Sequence, residues 1–265
     1  MKRITLGALD YGLSFSVDRT LRDLLREGRL SAVGSIVVTD LWSREFLPLR
    51  ETADEVGDRA LFGLTVTLSG DRAQPLSERM AKTYGNAMPT RSYLERRAFL
   101  RLLPDEILLE EIGAQIREYV ARMDREPEFV AVREGLFDRT AIAKHVMQAI
   151  NDAELSSTPY LVTGLPPGLQ AARVRKMAEA AGLKVLPWGP PLPETNDTEK
   201  LHKLLRYHFD GLPDMTFVAG VPGAADDRLR RDESREKISV RECHREVLSS
   251  GRFFRTLDEK NVFLN

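Results

Sequence analysis

The sequence has little cysteine, little net charge and no long apolar run. Cys243, the one cysteine among 265 residues, can neither close an internal disulfide nor build a cysteine-rich zinc site. Lysine and arginine number 39 and aspartate and glutamate 40, a balance that offers no general attraction for nucleic acid or an anionic membrane. No segment approaches the roughly 20 apolar residues of a membrane span, and the apolar stretch before Asp10 is too short for a signal peptide. We therefore expect a cytoplasmic protein that binds neither nucleic acid nor membrane.

Common catalytic signatures are also missing. The chain has no Gly-x-Ser-x-Gly elbow, no Walker loop, no His-Glu-x-x-His and no Gly-x-Gly-x-x-Gly after a strand. The four histidines all fall inside helical patterns, where a partly exposed or locally hydrogen-bonded side chain is the simpler interpretation: His145, His202, His208 and His244. Cys243 precedes His244, but adjacent residues of a helix point in different directions. The residues therefore favour neither a nucleophilic cysteine nor a histidine-based metal centre.

Short apolar or β-branched runs alternate with amphipathic segments of helical period along the chain. This order is typical of βα units around a parallel sheet. No internal repeat, low-complexity tract or linker is found, so we predict a single α/β domain over residues 1–265: a distorted (β/α) TIM-like barrel of about seven parallel strands. The predicted strands are Ile4 to Leu9, Val33 to Thr39, Leu61 to Leu68, Phe129 to Arg133, Tyr160 to Thr163, Lys184 to Leu186 and Thr216 to Ala219, with a last candidate at Val262 to Leu264.

Local signals place two helices and one long connection. Ser16 is a candidate cap for the first helix and Gly28 a candidate stop signal. Pro104 opens a second helix, with acidic residues in its first turn. Between Gly70 and Tyr93 the chain is polar and has no clear period, which predicts a mobile or cleft-covering loop.

In a parallel barrel the βα loops converge at the carboxyl ends of the strands, so functional residues are sought there. The candidates at these ends are Asp10, Trp42, Thr65, Thr67, Arg133, Glu134 and Trp188. The two tryptophans offer flat faces for stacking on sugar rings, and the polar candidates offer hydrogen bonds to a ligand. The alternative is that both tryptophans pack against neighbouring helices.

Several segments, in order along the chain, match one family pattern. Ala8-Leu9-Asp10-Tyr11-Gly12-Leu13-Ser14 resembles an Ala-Asp-Asp-Phe-Gly-Leu-Ser opening, and residues 63–69 resemble a Gly-Leu-His-Leu-Asn-Leu-Thr strand. Val221-Pro222-Gly223, followed by Asp226-Asp227, resembles a His-Pro-Gly passage. Further matches lie at residues 28–38, 111–116, 241–248 and 262–264. Together these segments resemble the YdjC-like carbohydrate deacetylases, also called the ChbG/HpnK family.

The resemblance implies a distorted barrel whose active members remove acetyl groups from N-acetylated sugars with a divalent metal. Four positions depart from the family's metal-binding or catalytic pattern: Leu9, Thr65, Arg133 and Val221. Of the acids and histidines in that pattern, Asp10 alone is retained in this sequence. A catalytic metal typically needs about three protein ligands, so we expect no metal site and no cofactor.

Two hypotheses from different functional classes remain. In the first, the chain is a divergent barrel without metal-dependent deacetylation that binds a glycan, another small polar ligand or a protein partner in the strand-end cleft. In the second, it is a hydrolase, a carbohydrate N-deacetylase or a related enzyme, with a rearranged site in which Asp10 and Glu134 serve as an acid and base pair. A homo-oligomer is compatible with both. If the carboxylates of Asp10 and Glu134 converge on one cavity, the hydrolase hypothesis is favoured. If they face separate partners, with Glu134 for instance pairing with Arg139, the hypothesis of a binding protein is favoured.

Overall fold

The structure, a computed structural model, describes residues 2–264. The strands are β1 (Lys2–Tyr11), β2 (Ala32–Ser35), β3 (Leu61–Val66), β4 (Phe129–Val132), β5 (Tyr160–Val162), β6 (Lys184–Val185), β7 (Thr216–Ala219) and β8 (Val262–Leu264). The helices are α1 (Phe15–Arg26), α2 (Trp42–Val56), α3 (Glu78–Tyr84), α4 (Arg91–Phe99), α5 (Asp105–Met123), α6 (Thr140–Asp152), α7 (Leu169–Ala180), α8 (Thr198–His208), α9 (Asp227–Asp232), α10 (Arg235–Ser249) and α11 (Gly251–Glu259). Short 3-10 turns occupy Gly57–Arg59 and Arg133–Asp138.

All strand pairs are parallel, in the order β6-β5-β4-β3-β2-β1-β7, with β8 paired to the start of β1. The sheet curls until its two ends meet. Beyond β6, Phe217 of β7 donates its amide hydrogen to the carbonyl of Pro187, and Leu192 donates to the carbonyl of Ala219. The prediction of a distorted TIM-like barrel is confirmed, with residues 187–192 bridging the place where β6 and β7 do not form a continuous ladder.

Aromatic side chains fill the barrel interior. The rings of Phe129 and Phe217 meet edge to face at a centroid distance of 5.7 Å, and Trp188 stacks on Phe217 at 5.7 Å. Glycine makes room for these rings, because a Cβ on Gly7 would lie 2.5 Å from the Phe217 ring and a Cβ on Gly63 would lie 2.6 Å from the Phe129 ring. The interior is therefore a packed floor and not a channel.

A second apolar cluster lies between the strands and the surrounding helices. It draws on β1 through Ile4, Leu6 and Ala8, whose side chains alternate with those that enter the barrel. Helices α1, α2, α5, α6 and α10 cover this outer side of the sheet with their own apolar faces. None of the helices within residues 2–264 is long and apolar enough to cross a bilayer.

All eight predicted strands are present, although β2 ends four residues before the predicted boundary. The cap of α1 is Ser14, whose side chain accepts a hydrogen bond from the Val17 amide, so the assignment to Ser16 was wrong. Gly28 follows the end of α1 in the left-handed conformation, as expected of a stop signal.

The segment from residue 70 to residue 93 differs from its prediction. It contains α3, and Met80 and Met88 are buried in the core. Glu111 of α5 accepts hydrogen bonds from the amides of Leu76 and Ser77, which anchors the entry to α3. The segment is therefore anchored to the barrel at separate buried residues, and its first residues, 70–73, line the strand-end cleft.

Candidate functional site

A polar cleft of about 290 Å³ opens at the carboxyl ends of the strands. Its walls come from the loops after β1 to β4 and from α9. Four arginines and three acids line it: Arg72, Arg133, Arg228 and Arg231 with Asp71, Glu134 and Asp232. The strand-end location is the one at which parallel barrels place their binding sites.

Asp10 is displaced from the normal alternation of β1 by a bulge. Gly7 pairs with Ala32 and Ala8 with Val33, but the next pair joins Tyr11 to Ser35, so one extra residue is inserted at Leu9–Asp10. Leu9 packs against the aromatic floor of the barrel, and Tyr11 returns to the outer core. Asp10 is thereby turned toward the loop that follows β7.

Asp10 is held there by a guanidinium group. Nη1 of Arg241 in α10 lies 2.6 Å from Oδ2 of Asp10, and the other face of Arg241 makes a two-pronged contact with Glu233, at 2.7 and 2.8 Å. The side chains of Arg241, Asp10 and Glu233 are only 7%, 15% and 16% exposed. Burial alone lowers the pKa of Arg241, but the two carboxylates outweigh burial and raise that pKa above its usual value. The three residues form a buried ion triad.

The residues at the positions where the family resemblance implies metal ligands do not fit a divalent metal. Leu9 and Val221 have no side-chain donor atoms, Arg133 is a cation, and a neutral threonine at position 65 is a weak ligand. Within residues 2–264 no group of three His, Cys, Asp or Glu side chains could hold a metal ion. One oxygen of Asp10 is already neutralised by Arg241, which lowers its attraction for a further cation.

Glu134 has a different partner from Asp10. Its backbone is in the left-handed conformation, with φ of 59°, and its carboxylate accepts a hydrogen bond from the hydroxyl of the buried Ser69. Arg139 pairs with Glu95 and Asp138, so the Glu134–Arg139 ion pair considered from the sequence does not form. Glu134 lines the cleft whereas Asp10 lies in the ion triad, so the two carboxylates face separate partners.

Arg133 lies in the same cleft, immediately after β4. Among the described residues its guanidinium group has no hydrogen-bond or ion-pair partner. It is therefore available to a ligand.

The remaining sequence candidates are less accessible. Trp42, 2% exposed, stacks on Tyr119 at 6.4 Å and lies in the outer core, so it is removed from the ligand surface. Thr65 and Thr67 are buried, and the Thr67 hydroxyl donates to the carbonyl of Thr65. Trp188 is half-buried in the barrel floor, with one face on Phe217.

Helix α9 and Glu233 form a strap across the strand ends. Arg228 makes a two-pronged ion pair with Asp40, at 2.9 and 2.6 Å, and Asp232 pairs with Arg72. The hydrogen bonds from Arg228, together with its charge, hold the pKa of Asp40 below its usual value. Leu229 is the one buried residue of α9, so charge pairs do most of the anchoring.

Sequence reasoning missed the strap and its partner Arg241. The available signal was the spacing of Arg228, Arg231 and Asp232, which places these charges on one side of a short helix that follows the strand end of β7. On the other side of the strap lies a second cavity of about 300 Å³, whose lining includes Val221, Glu233 and Arg241. Asp10 lines neither cavity.

His145 and His244 make hydrogen bonds within the fold. His244 accepts a hydrogen bond at Nδ1 from the Val221 amide and contacts the Pro193 carbonyl through Nε2 at 3.1 Å. Burial lowers the pKa of His244, which keeps the ring neutral and suits this double role. His145 bonds to the carbonyl of Ala141, one turn earlier in α6.

One family model and one solved structure agree with this architecture. The family model described as "YdjC-like protein" matches residues 3–259. A structure from Enterococcus faecalis V583, described as a "putative cellobiose-phosphate cleavage protein", is 15% identical with a TM-score of 0.79, covering 100% of this chain and 97% of that one. A family 4 carbohydrate esterase from Streptomyces lividans in complex with acetate is 10% identical with a TM-score of 0.45, covering 100% and 92%. A search of curated proteins by sequence gave no match. The chain belongs to the YdjC-like family, a family of the carbohydrate-deacetylase type.

Proposed function

We propose that this YdjC-like barrel has lost metal-dependent deacetylation and instead binds a sugar-like ligand in the strand-end cleft. The observation that carries the proposal is the ion triad. Arg241 forms an ion pair with Asp10, the one acid retained at the positions where the family binds its metal. Glu233 forms a second ion pair with Arg241 and fixes it from the other side.

The missing chemistry follows from what deacetylation requires. An activated water must attack the amide carbonyl, and the oxyanion that forms must be stabilised. Arg133 offers a fixed cation for the oxyanion, but it cannot generate hydroxide. Asp10 is ion-paired with Arg241 and does not line the cleft, whereas Glu134 lines the cleft and accepts a hydrogen bond from Ser69, so the two carboxylates do not face each other as an acid and base pair. A hydrolase that uses Asp10 and Glu134 as a pair is therefore the less supported alternative.

The cleft retains features that suit a saccharide. Arginine, aspartate and threonine side chains provide donors and acceptors on several walls, and the volume of about 290 Å³ lies near the lower limit of small-molecule sites. The description of the Enterococcus faecalis protein names a phosphorylated disaccharide, cellobiose phosphate, which supports a saccharide as the class of ligand. A protein partner in place of the saccharide is the other outcome to be tested.

Two assays test this function. Incubation with N-acetylglucosamine oligomers and added zinc, cobalt, nickel or magnesium should release no measurable acetate, and elemental analysis should find no stoichiometric metal. Calorimetric titration with neutral and charged mono- and disaccharides should detect binding.

The control for both assays is Asp152→Asn, a change at an exposed position outside the cleft. Metal-dependent acetate release that is lost in Asp10→Asn but kept in Asp152→Asn would contradict the proposal. So would a failure of every saccharide to bind.

A further inference from the structure

We infer that the tip of α4, residues 96–102, is a docking surface for an anionic lipid bilayer. The tip combines the last turn of α4 with the turn that follows it. It shares no residue with the lining of the strand-end cleft, so the inference does not depend on the proposed function.

The tip exposes large apolar side chains. Phe99 is 83% exposed, Leu100 54% and Leu102 55%. Single exposed apolar residues are normal on a protein surface, but a cluster of them marks an interaction site. Three such side chains within four consecutive positions form a cluster of this kind.

Hydrogen bonds fix the turn that carries these side chains. The amide of Arg101 donates to the carbonyl of Ala98, and the backbone of Arg101 is left-handed, with φ of 58°. The amide of Leu102 donates to the carbonyl of Arg97, which completes a Schellman helix end. The side-chain Nε of Arg97 donates to the carbonyl of Leu102 at 2.7 Å. The apolar side chains therefore project from a hydrogen-bonded turn and not from a frayed helix end.

The tip is also cationic. The whole chain has a formal net charge of −1, but residues 91–103 contain four arginines and one glutamate. That glutamate already pairs with Arg91 and Arg139. Among the described residues, the guanidinium groups of Arg96 and Arg101 have no hydrogen-bond or ion-pair partner. An anionic surface would neutralise charges that the chain itself leaves unpaired.

A cavity of about 290 Å³ beside the tip adds a further cation. Arg101 and Lys144 of α6 both line it. The acid in the same lining, Asp105, already pairs with His145 at 3.0 Å. Protruding apolar side chains flanked by cations are the arrangement with which peripheral proteins enter the interface of an anionic bilayer.

Shape and charge favour a bilayer over a protein partner. A helical or extended peptide is held in a groove or along a sheet edge, whereas the apolar side chains of the tip protrude. A second copy related by a twofold axis through the tip would bring its arginines together, and like charges across an interface oppose association. A fluid bilayer requires no matching shape, takes in protruding apolar side chains and supplies negative charge.

The experiment is co-sedimentation of the full chain with lipid vesicles at low ionic strength. Vesicles of phosphatidylcholine are compared with vesicles of an equimolar mixture of phosphatidylcholine and phosphatidylglycerol. We expect the mixed vesicles to bind the chain about tenfold or more tightly, and added salt to remove most of this preference. Phe99→Ser should lower the affinity for mixed vesicles by about tenfold, because the ring no longer enters the interface. Arg96→Gln and Arg101→Gln should each lower it by about fivefold.

Matched controls lie at the opposite end of the barrel. Tyr207 is 73% exposed and Arg206 is also exposed, both near the end of α8. The chain that follows them reaches the amino end of β1, where the Lys2 ammonium group donates to the carbonyl of Phe209. Tyr207→Ser and Arg206→Gln therefore remove an exposed ring and an exposed cation far from the tip, and both should bind mixed vesicles like the wild type.

Three results would overturn the inference. The first is wild-type protein that binds mixed vesicles no better than phosphatidylcholine vesicles. The second is binding of the Phe99→Ser, Arg96→Gln and Arg101→Gln variants that equals binding of the two controls. The third is a dimer in sedimentation velocity that Phe99→Ser converts to a monomer, which would assign the tip to a second copy of the chain. Thermal melts show that each variant is folded, as expected for changes at exposed positions.

Discussion

The floor of the barrel and its strand-end rim are built by opposite means. In the floor, Phe129, Phe217 and Trp188 pack ring against ring, and glycines at positions 7 and 63 provide the space they need. At the rim, a six-residue helix with one buried residue is held by ion pairs. The same strands therefore carry a region that depends on shape and a region that depends on charge.

This difference shows where the fold can change without being lost. Close packing makes the floor sensitive to volume, because a removed ring leaves a cavity. Exposed ion pairs contribute little to stability each, so the rim can exchange partners, including partners on a ligand, at small cost. Functional divergence within such a fold is expected at the rim.

The largest effect is expected in the floor. Phe129→Ala should lower the free energy of unfolding by about 3–5 kcal/mol, since it removes a fully buried ring and leaves a cavity. Urea denaturation measures the change. Phe99→Ala is the control, because Phe99 is 83% exposed and its loss should fall within about 0.5 kcal/mol. Equal effects of the two substitutions would mean that the floor is not the packed region described.

The ion triad lies between the two regions and should give the next effect. Arg241→Met removes the cation between two largely buried carboxylates, and breaking a buried pair in this way costs about 3 kcal/mol. Removing Asp10 as well, in Arg241→Met with Asp10→Leu, should restore part of the loss. Urea denaturation of the single and double variants tests the coupling. Additive effects of the two substitutions would show that Asp10 and Arg241 do not interact.

Asp18 provides a test that depends on pH. It is fully buried behind the bulge, accepts a hydrogen bond from the Gly12 amide, and burial raises the pKa of its carboxyl well above the usual value. The folded chain then binds a proton that the unfolded chain has released, so this group lowers stability as pH rises from about 4 through its folded pKa. Asp18→Asn should remove that decline and gain stability relative to wild type as pH rises.

The control for this pH test is Asp23→Asn, an exposed change on the same helix. Denaturant titrations of the three proteins between pH 4 and 8 give the comparison. A difference between Asp18→Asn and wild type that stays constant with pH would contradict the raised pKa.

The smallest change in stability is expected at the rim. Asp40→Asn and Asp232→Asn should each cost about 1 kcal/mol or less. Both keep every arginine of the strap, so trypsin should cut within residues 228–235 faster than in wild type at low salt. Added salt should accelerate cleavage of the wild type toward the rate of the variants. Glu199→Gln, which breaks the distant pair with Arg252, should leave cleavage of the strap unchanged. Equal rates of tryptic cleavage in the wild type and the three variants would show that the ion pairs do not hold the strap.

Sequence periodicity was sufficient for the strands because each strand is a local apolar run. It was not sufficient for the environment of single side chains. Trp42 follows a strand end in the sequence, yet as the first residue of α2 it packs on Tyr119 of α5, which is 77 positions away. The polar segment that contains Met80 reads as a loop, but its anchor, Glu111, lies on α5. Such contacts between distant segments leave no local pattern.

The candidate site divides in the same way. Arg133 and Glu134 both follow a strand directly, and both line the cleft at the strand ends. The partner of Asp10 could not be found by that rule, since Arg241 lies in the middle of α10 and reaches Asp10 only after the barrel has closed. Resemblance to the family identified Asp10 as the retained acid but gave no information about the cation that neutralises it.

The packing of Leu9 limits which side chains position 9 can carry. Leu9 lies against the aromatic floor, and its side chain is 3.0 Å from where a Cβ on Gly34 would stand, with the Thr65 hydroxyl 2.4 Å from the same point. An aspartate at position 9 would place its carboxylate against the apolar side chains of the floor, and a histidine at position 65 would compete for the same crowded space. Substitutions at positions 9 and 65 are therefore coupled through the space beside Gly34, so metal-binding side chains at these strand ends would require both positions to change together.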